Sequence, residues 1–370
     1  MKGTIKKEGN SWYYQFTIGY SADGKRKQKK KRGYKTKKEA QQALTEALNA
    51  VNTGTYIEPS TSLYKEYLDD WFTTKKNSIG IQTARVYQDY LRSRIVPGLG
   101  NYTLSKLSAI HIQSFTNNLN KEGLSSSTIK KVYEIVRNWL EYAADFELIP
   151  KNVAAKVKLP KANKKEMAVW NGEEVNQFLK IAKEDPVYIV FHLALTTGMR
   201  QGEILGLRWK DVDFEKGLIH IRQTLSHGGK EFIRGAKTKS SLRTINLSEA
   251  TVRVLKGRKL TVSKENLSFG PIYEDLDLVA CTSHKTPHNP TNVRRTFNRL
   301  IEAADVPKIR FHDLRHTHAT LLFSKGINVK IISERLGHSN IKVMLDTYSH
   351  VLPTMQEEVV RKLDEIIKEV

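Results

Sequence analysis

The sequence predicts a multidomain, mostly α-helical protein. A small β-sheet-plus-helix module is expected over residues 1–57, a helical bundle over 62–157, and a linker at 158–166. An α+β domain with a small β-hairpin sheet then runs from 167 to 370. Three observations carry this prediction. A chain of 370 residues is longer than one hydrophobic core usually fills. Strand-period alternation marks the N-terminal module, and apolar residues at helical spacing mark most of the rest.

In the first module Trp12, Tyr14, Phe16, Ile18 and Tyr20 alternate with Tyr13, Gln15, Thr17 and Gly19, the period of a half-buried strand. Ser21-Ala22-Asp23-Gly24 turns the chain into a second strand. There Lys25, Arg26, Lys27, Lys29, Lys30, Lys31 and Arg32 are interrupted only by Gln28. Thr36 and Glu39 have the spacing of a capping box. They open a helix with Ala40, Ala43, Leu44, Ala47, Leu48 and Val51 on one face. Through Tyr56 thirteen Lys and Arg stand against four Asp and Glu. A solubilising run or a basic tail would share this composition, but strand and cap signals on both sides argue for order. A sheet presenting rows of Lys and Arg can enter a DNA major groove.

Beyond the polar connector Glu58-Pro59-Ser60-Thr61, helical spacing predicts four helices. Leu63, Tyr67, Leu68, Trp71 and Phe72 mark the first. Ala84, Tyr87, Tyr90, Leu91 and Ile95 mark the second, which Pro97-Gly98-Leu99-Gly100 is expected to break. The third lies around Ile110 to Leu119. Ser126 or Ser127 is expected to cap the fourth, with Ile129, Val132, Ile135, Val136, Leu140 and Ala143 inward. Lys130, Lys131 and Arg137 are candidate DNA contacts there, although any solvated helix face carries such residues. VKLPKANKKE, residues 157–166, is polar and basic with one proline and reads as an interdomain linker.

The last domain opens with Asn171-Gly172-Glu173-Glu174 and an amphipathic helix. The apolar run Val187 to Leu195 ends at Thr196-Thr197-Gly198, and Arg200 follows. Glu203, one helical turn on, is placed to hold the Arg200 guanidinium. A solvated pair of this spacing contributes only about 0.2–0.5 kcal/mol; an arginine at the end of a buried helix argues for a more demanding role. Strands are expected near Leu218 to Gln223, and GAKTKSSLRTINL (Gly235 to Leu247) reads as two strands joined by Thr238 to Ser241. Farther on, His312 and Arg315 share a helical face, with Leu314, Leu321 and Leu322 toward the core. Gly326 and Gly337 stop successive helices. His338 follows at once, and Tyr348 lies on a final helix starting near Ser339. Two plainer readings remain open. Ile341, Met344, Leu345 and Tyr348 form an ordinary apolar stripe. His312, His316 and His318 include the i,i+4 spacing of zinc ligands, though no cysteine or well-spaced third ligand accompanies them.

Lys and Arg number 61 against 39 Asp and Glu, a net charge of +22. So basic a protein calls for a polyanionic partner, nucleic acid before membrane. No apolar run reaches the roughly 18 residues of a membrane span, and no secretory h-region follows Met-Lys-Gly-Thr-Ile. A membrane partner is therefore not expected. The single cysteine, Cys281, excludes an internal disulfide, fits a reducing cytoplasm and is read as an incidental residue of a polar loop.

With Arg200, the His-x-x-Arg of His312 and Arg315, the Leu-Gly-His ending at His338, and Tyr348, the chain resembles the tyrosine recombinases. Within that family it resembles the integrases of temperate phages and integrative conjugative elements. The resemblance spans the chain and is most specific in its second half. It implies that residues 1–57 are an arm-type DNA-binding domain, a three-stranded sheet with one helix. It further implies that 62–157 form a SAM-like core-binding domain, that the linker lets two domains close on DNA, and that 167–370 are catalytic. A catalytic lysine is implied just before the hairpin turn, which points to Lys237; Ala236 stands where a proline is frequent, and Lys239 keeps the same strand phase. The helix over MQEEVVRKLDEIIKEV packs either on its own domain or, as the resemblance implies, on a neighbouring protomer. A homotetramer on double-stranded DNA with core and arm attachment sites, an excisionase and a host DNA-bending protein are implied partners, in the cytoplasm of a bacterial host.

These residue types suit metal-free phosphodiester transfer. Tyr348 would attack the phosphorus, and Arg200 and Arg315 present planar forks for bidentate phosphate contact. His312 would accept the phenol proton or donate to phosphate, His338 would donate to a phosphate oxygen, and Lys237 would protonate the leaving 5′ oxygen. No cofactor or metal is expected: there is no Walker A sequence and no convincing carboxylate pair for two metals. A type IB topoisomerase shares this chemistry but has no need of a second DNA-binding module. A non-catalytic regulator would not need the reactive set, and a metal-dependent nuclease would be sensitive to EDTA.

Overall fold

The computed structural model describes residues 3–20, 23–53, 56–57, 63–161, 168–234, 242–269 and 276–337. The chain divides into two compact units, Met1–Lys165 and Glu166–Val370.

The first unit begins with an antiparallel sheet, β1 (Gly3–Glu8), β2 (Ser11–Tyr20) and β3 (Arg26–Tyr34), in that spatial order. Helix α1 (Lys37–Asn52) packs on it, placing Leu44 with Tyr14 and Phe16 in a small core. The expected capping box forms: Thr36 Oγ1 accepts from the Glu39 N–H at 3.2 Å, and the Glu39 carboxylate accepts from the Thr36 N–H at 3.3 Å. Polar connector residues 58–61 lie outside the described residues.

The helical part of this unit contains α2 (Tyr64–Lys75), α3 (Ile81–Tyr90), α4 (Val96–Leu99), α5 (Ala109–Lys121) and α6 (Ser126–Asp145). Its core holds Tyr64, Leu68, Trp71, Ile95, Ile112 and Trp139, with the six apolar residues expected on α6 all buried. The second helix ends within Pro97-Gly98-Leu99-Gly100 as expected: a π-helical turn, Leu91–Ile95, joins α3 to α4, and α4 stops at Leu99 with Gly100 as its C-cap. One expectation needs correction. The cap of α6 is Ser125 rather than Ser126 or Ser127: its Oγ accepts from the Thr128 N–H at 3.2 Å. The start of the expected linker is tied to this bundle, since the Lys158 N–H donates to Gln113 Oε1 at 2.9 Å and Ser126 Oγ donates to Lys161 O at 3.2 Å.

In the second unit, α7 (Gly172–Ala182) is capped by Asn171, and α8 (Tyr188–Thr197) is buried along almost its whole length. Short α9 (Gln201–Leu205) follows. Strands β4 (Val212–Asp213), β5 (Leu218–Ile221) and β8 (Arg243–Asn246) form one antiparallel sheet; β6 (Gln223–Leu225) and β7 (Phe232–Arg234) form another. The described strands flanking the expected hairpin therefore pair elsewhere, β7 with β6 and β8 with β5, and the turn residues lie outside the described residues. Helices α10 (Glu249–Phe269), α11 (Pro290–Ala304), α12 (Asp313–Ser324) and α13 (Val329–Leu336) complete the unit. Trp170, Phe178, Phe191, Phe297 and Phe311 form the aromatic centre of its core. Cys281 forms an isolated bridge with Pro287 in the segment between α10 and α11, and it is buried with Val262 and Leu278.

Among the described residues, no helix is long and apolar enough to cross a membrane.

Candidate active site

The site begins where α8 stops. Gly198 takes a left-handed conformation, φ +67°, that breaks the helix and leaves its carbonyl oxygen pointing back into the domain. A side chain there would run into Leu336 and His318. Two residues later Arg200 is the N-cap of α9, so its backbone N–H bonds Glu203 Oε2 at 2.9 Å and its Nη1 bonds Glu203 Oε1 at 2.8 Å.

Glu203 is not the solvated partner that its spacing also permits. It is buried and also accepts both Nη groups of Arg243, at 3.0 and 2.8 Å. Burial alone would push its carboxyl group up. The hydrogen bonds and charge of Arg243, followed by those of Arg200, overcome this and hold it down at about 2.

Arg315 reaches the same place from α12. Its Nη1 donates to Gly198 O at 2.7 Å and its Nη2 to Leu336 O at 2.6 Å. Arg200 Nη2 donates to the next carbonyl, Gly337 O, at 3.5 Å. The two guanidinium groups thus converge on the end of α13. They differ in access: the Arg200 side chain is 40% exposed, whereas Arg315 is 3% exposed.

His312 is the N-cap of α12, three residues before Arg315. Although it is exposed overall, desolvation of its ring holds its pKa below the ordinary imidazole value, with help from the positive charges of Arg315, Arg200 and Arg310 against the opposing pull of Asp313. Leu314 is fully buried, while Leu321 and Leu322 are half-buried. Gly326 and Gly337 both have positive φ just past their helices. No metal-binding group of His, Cys, Asp and Glu occurs among the described residues.

Lys237, Lys239, His338 and Tyr348, together with the expected final helices, lie outside the described residues. Two arginines were missed in the sequence. Arg243 sits on β8 in the same phase as buried Ile245, a signal the alternation RTIN does contain. Arg335 donates from Nε to His318 Nε2 at 3.2 Å, from Nη1 to Asn246 O at 2.9 Å and from Nη2 to Thr196 O at 3.1 Å. No local pattern announces that role, because its three acceptors come from three separate elements.

In the N-terminal sheet, pairing sorts the basic residues by face. Lys29 and Lys31 stand opposite Phe16 and Tyr14, the residues packed under α1, whereas Lys30 stands opposite Gln15 on the open face. There Lys30 Nζ lies 3.7 Å from the Tyr13 ring centre, and Glu8 takes both Lys30 at 3.3 Å and Arg32 at 2.8 Å. Lys25, Arg26 and Lys27 lie at the exposed start of the strand.

Arg200 and Arg315 thus donate to neighbouring carbonyls at the end of α13, with His312 at the N-cap of the helix that carries Arg315. The phage integrase family profile matches residues 169–355, about half of the chain, and the chain belongs to that family of tyrosine-type site-specific recombinases. Residues 4–51 match the arm DNA-binding domain, and residues 63–120 match the phage integrase N-terminal SAM-like domain. A XerC-like tyrosine recombinase of Caldanaerobacter subterraneus is 29% identical, with 99% of both chains covered. The ICEBs1 integrase of Bacillus subtilis is 27% identical over 71% of this chain and 72% of its own. The fold is shared with the Tn1549 transposon integrase in complex with a circular intermediate DNA, at TM-score 0.70 and 21% identity, covering 81% of this chain and 100% of that one. It is also shared with a lambda integrase dimer bound to a core site, at TM-score 0.60 and 18% identity over 93% and 94% of the two chains.

Proposed function

We propose that the protein integrates and excises a mobile element, cutting and rejoining DNA through a 3′-phosphotyrosine intermediate and a Holliday junction. The observation that carries this reading is the convergence of Arg200 and Arg315 on the end of α13, with His312 at the N-cap of the helix that bears Arg315.

In the proposed reaction Tyr348 attacks the scissile phosphorus. The bond from phosphorus to the tyrosine oxygen forms, and the bond to the 5′ oxygen breaks. His312, kept neutral near pH 7 by its lowered pKa, accepts the phenol proton or donates to the phosphate. Arg200 and Arg315 neutralise charge on the non-bridging oxygens, His338 donates to one of them, and Lys237 protonates the departing 5′ oxygen. Attack by the 5′ hydroxyl of another strand reverses the step and needs no nucleotide hydrolysis, because the phosphotyrosine retains the bond energy.

Double-stranded DNA is the partner, with core sites bound by residues 62–157 and 167–370 and arm sites by residues 1–57. The linker at 158–166 lets the core-binding and catalytic domains close on DNA. The working assembly is a homotetramer, assisted by an excisionase and a host DNA-bending protein in the bacterial cytoplasm. The basic N-terminal sheet supports an integrase with two classes of DNA site over a relaxing topoisomerase. The decisive experiment incubates the protein with a nicked suicide duplex in EDTA. A covalent adduct mapped to Tyr348 is expected; no adduct, or one on another residue, overturns the reading.

A further inference from the structure

Three successive carbonyl oxygens at the end of α13 are held by three different arginines. Arg243 Nε donates to Arg335 O at 2.8 Å, Arg315 Nη2 to Leu336 O at 2.6 Å, and Arg200 Nη2 to Gly337 O at 3.5 Å. The next residue is His338. A helix C-terminus carries unpaired carbonyls and partial negative charge, so an arginine cluster is a natural dock for it.

Arg243 does more than join this row. Its fork fills one side of the Glu203 carboxylate, and the Arg200 backbone N–H and Nη1 fill the other. A carboxylate has about four acceptor positions, and all four are then occupied. With its lone pairs committed, Glu203 has no second orientation that keeps its bonds, and Arg200 inherits that fixed direction. The Arg243 side chain is 6% exposed, so this tie is shielded from competing water.

We propose that Arg243 is a positioning residue of the strand-cleavage reaction, acting through Glu203 on Arg200. Arg243 itself does not touch the phosphate. The proposal rests on the reading of Arg200 as a phosphate ligand. It predicts that the loss on removing Arg243 scales with the charge that Arg200 must neutralise, which a purely structural tie would not do.

The test compares two nicked suicide duplexes, one with the natural phosphodiester and one with a neutral methylphosphonate at the scissile position. Adduct formation by the unaltered protein on the phosphodiester establishes the chemistry first, so its absence would count against the recombinase reading rather than against Arg243. Arg243→Met should then slow cleavage of the phosphodiester about a hundredfold, the scale of losing one oxyanion donor. Its affinity for the duplex should stay within about threefold, as expected when binding is spread over many backbone contacts. On the methylphosphonate the deficit should shrink to less than about tenfold, because less charge remains to be stabilised. The double variant with Arg200→Met should be no slower than Arg200→Met alone. An equal deficit on both substrates, or losses that multiply in the double variant, overturns the proposal. Should Arg243→Met fail to fold, Arg243→Lys serves instead. It keeps the charge but cannot supply the fork and the Nε bond together, and the same comparison decides.

Discussion

His318 accepts a hydrogen bond from Arg335 Nε at its Nε2, 3.2 Å away, while its Nδ1 lies 2.7 Å from Leu195 O. A carbonyl can only accept, so Nδ1 carries the proton and the ring is neutral. This fixes the tautomer of a buried imidazole immediately behind the Gly198 turn.

Protonation of His318 would therefore break the Arg335 bond and place two cations in contact. Burial first, then Arg335, lowers its pKa from 6.5 to about 4, and burial likewise holds His192 and His316 at about 4. The unfolded chain binds these protons more readily than the folded one. Their contribution to stability is thus complete above pH 6.5 and is lost as pH falls toward 4. His318→Gln, whose amide can still donate and accept, should flatten this dependence by up to about 1.4 kcal/mol per pH unit. Urea unfolding between pH 4 and 7 measures it; an unchanged slope would refute the assignment.

Glu203 shares the direction of this pH dependence, but it is held charged rather than neutral. Its lowered pKa means that its contribution is present above about 4.5 and disappears as pH falls toward 2. Glu203→Gln removes the negative charge and leaves Arg243 uncompensated. A loss of about 3–5 kcal/mol is expected from breaking one side of a buried ion pair. Denaturant unfolding at pH 7 reads this directly, and a change below 1 kcal/mol would mean that the pair is far weaker than its geometry implies.

At the reacting centre, Tyr348→Phe should retain duplex binding and form no adduct. Arg200→Lys and Arg315→Lys should each lower cleavage by about 10²–10³, because an ammonium does not reproduce the planar fork. Single-turnover kinetics on the nicked duplex separates these losses from binding. Normal recombination by Tyr348→Phe would remove the nucleophile assignment.

Gly198→Ala tests the turn that presents Arg200. The substitution puts a side chain at φ +67° and drives it against Leu336 and His318. Strain and overpacking together predict a loss of about 2–4 kcal/mol. A midpoint equal to that of the unaltered protein would show that the turn relaxes freely.

In the N-terminal sheet, paired replacement of Lys30 and Arg32 by alanine should weaken arm-site binding more than paired replacement of Lys29 and Lys31. Each lost phosphate contact should reduce the salt slope of binding by about 0.9. Fluorescence anisotropy across a salt series tests the difference; equal effects would mean that both faces of the strand meet DNA.

Much of this organisation was legible in the sequence because it is local. Thr36 and Glu39 announce their cap, Gly198 and Gly337 announce helix ends, and His312 with Arg315 needs only the helical period. Pro97-Gly98-Leu99-Gly100 announces the end of the second helix, but the π turn at Leu91–Ile95 before it has no signal in the composition. The basic run at Lys25 to Arg32 was visible as charge, but its division between faces depends on register with β2. Arg243 and Arg335 were invisible as partners for a related reason: each is defined by what distant segments bring to it.

The row of acceptors at Arg335, Leu336 and Gly337 belongs to the main chain, which every genetic variant inherits unchanged in kind. Exchanging those side chains can alter packing, but it cannot delete the oxygens that the arginines grasp. Side-chain exchange along this helix end thus leaves the anchorage in place, and releasing the end of α13 would take loss of the arginines or a change of backbone path at Gly337.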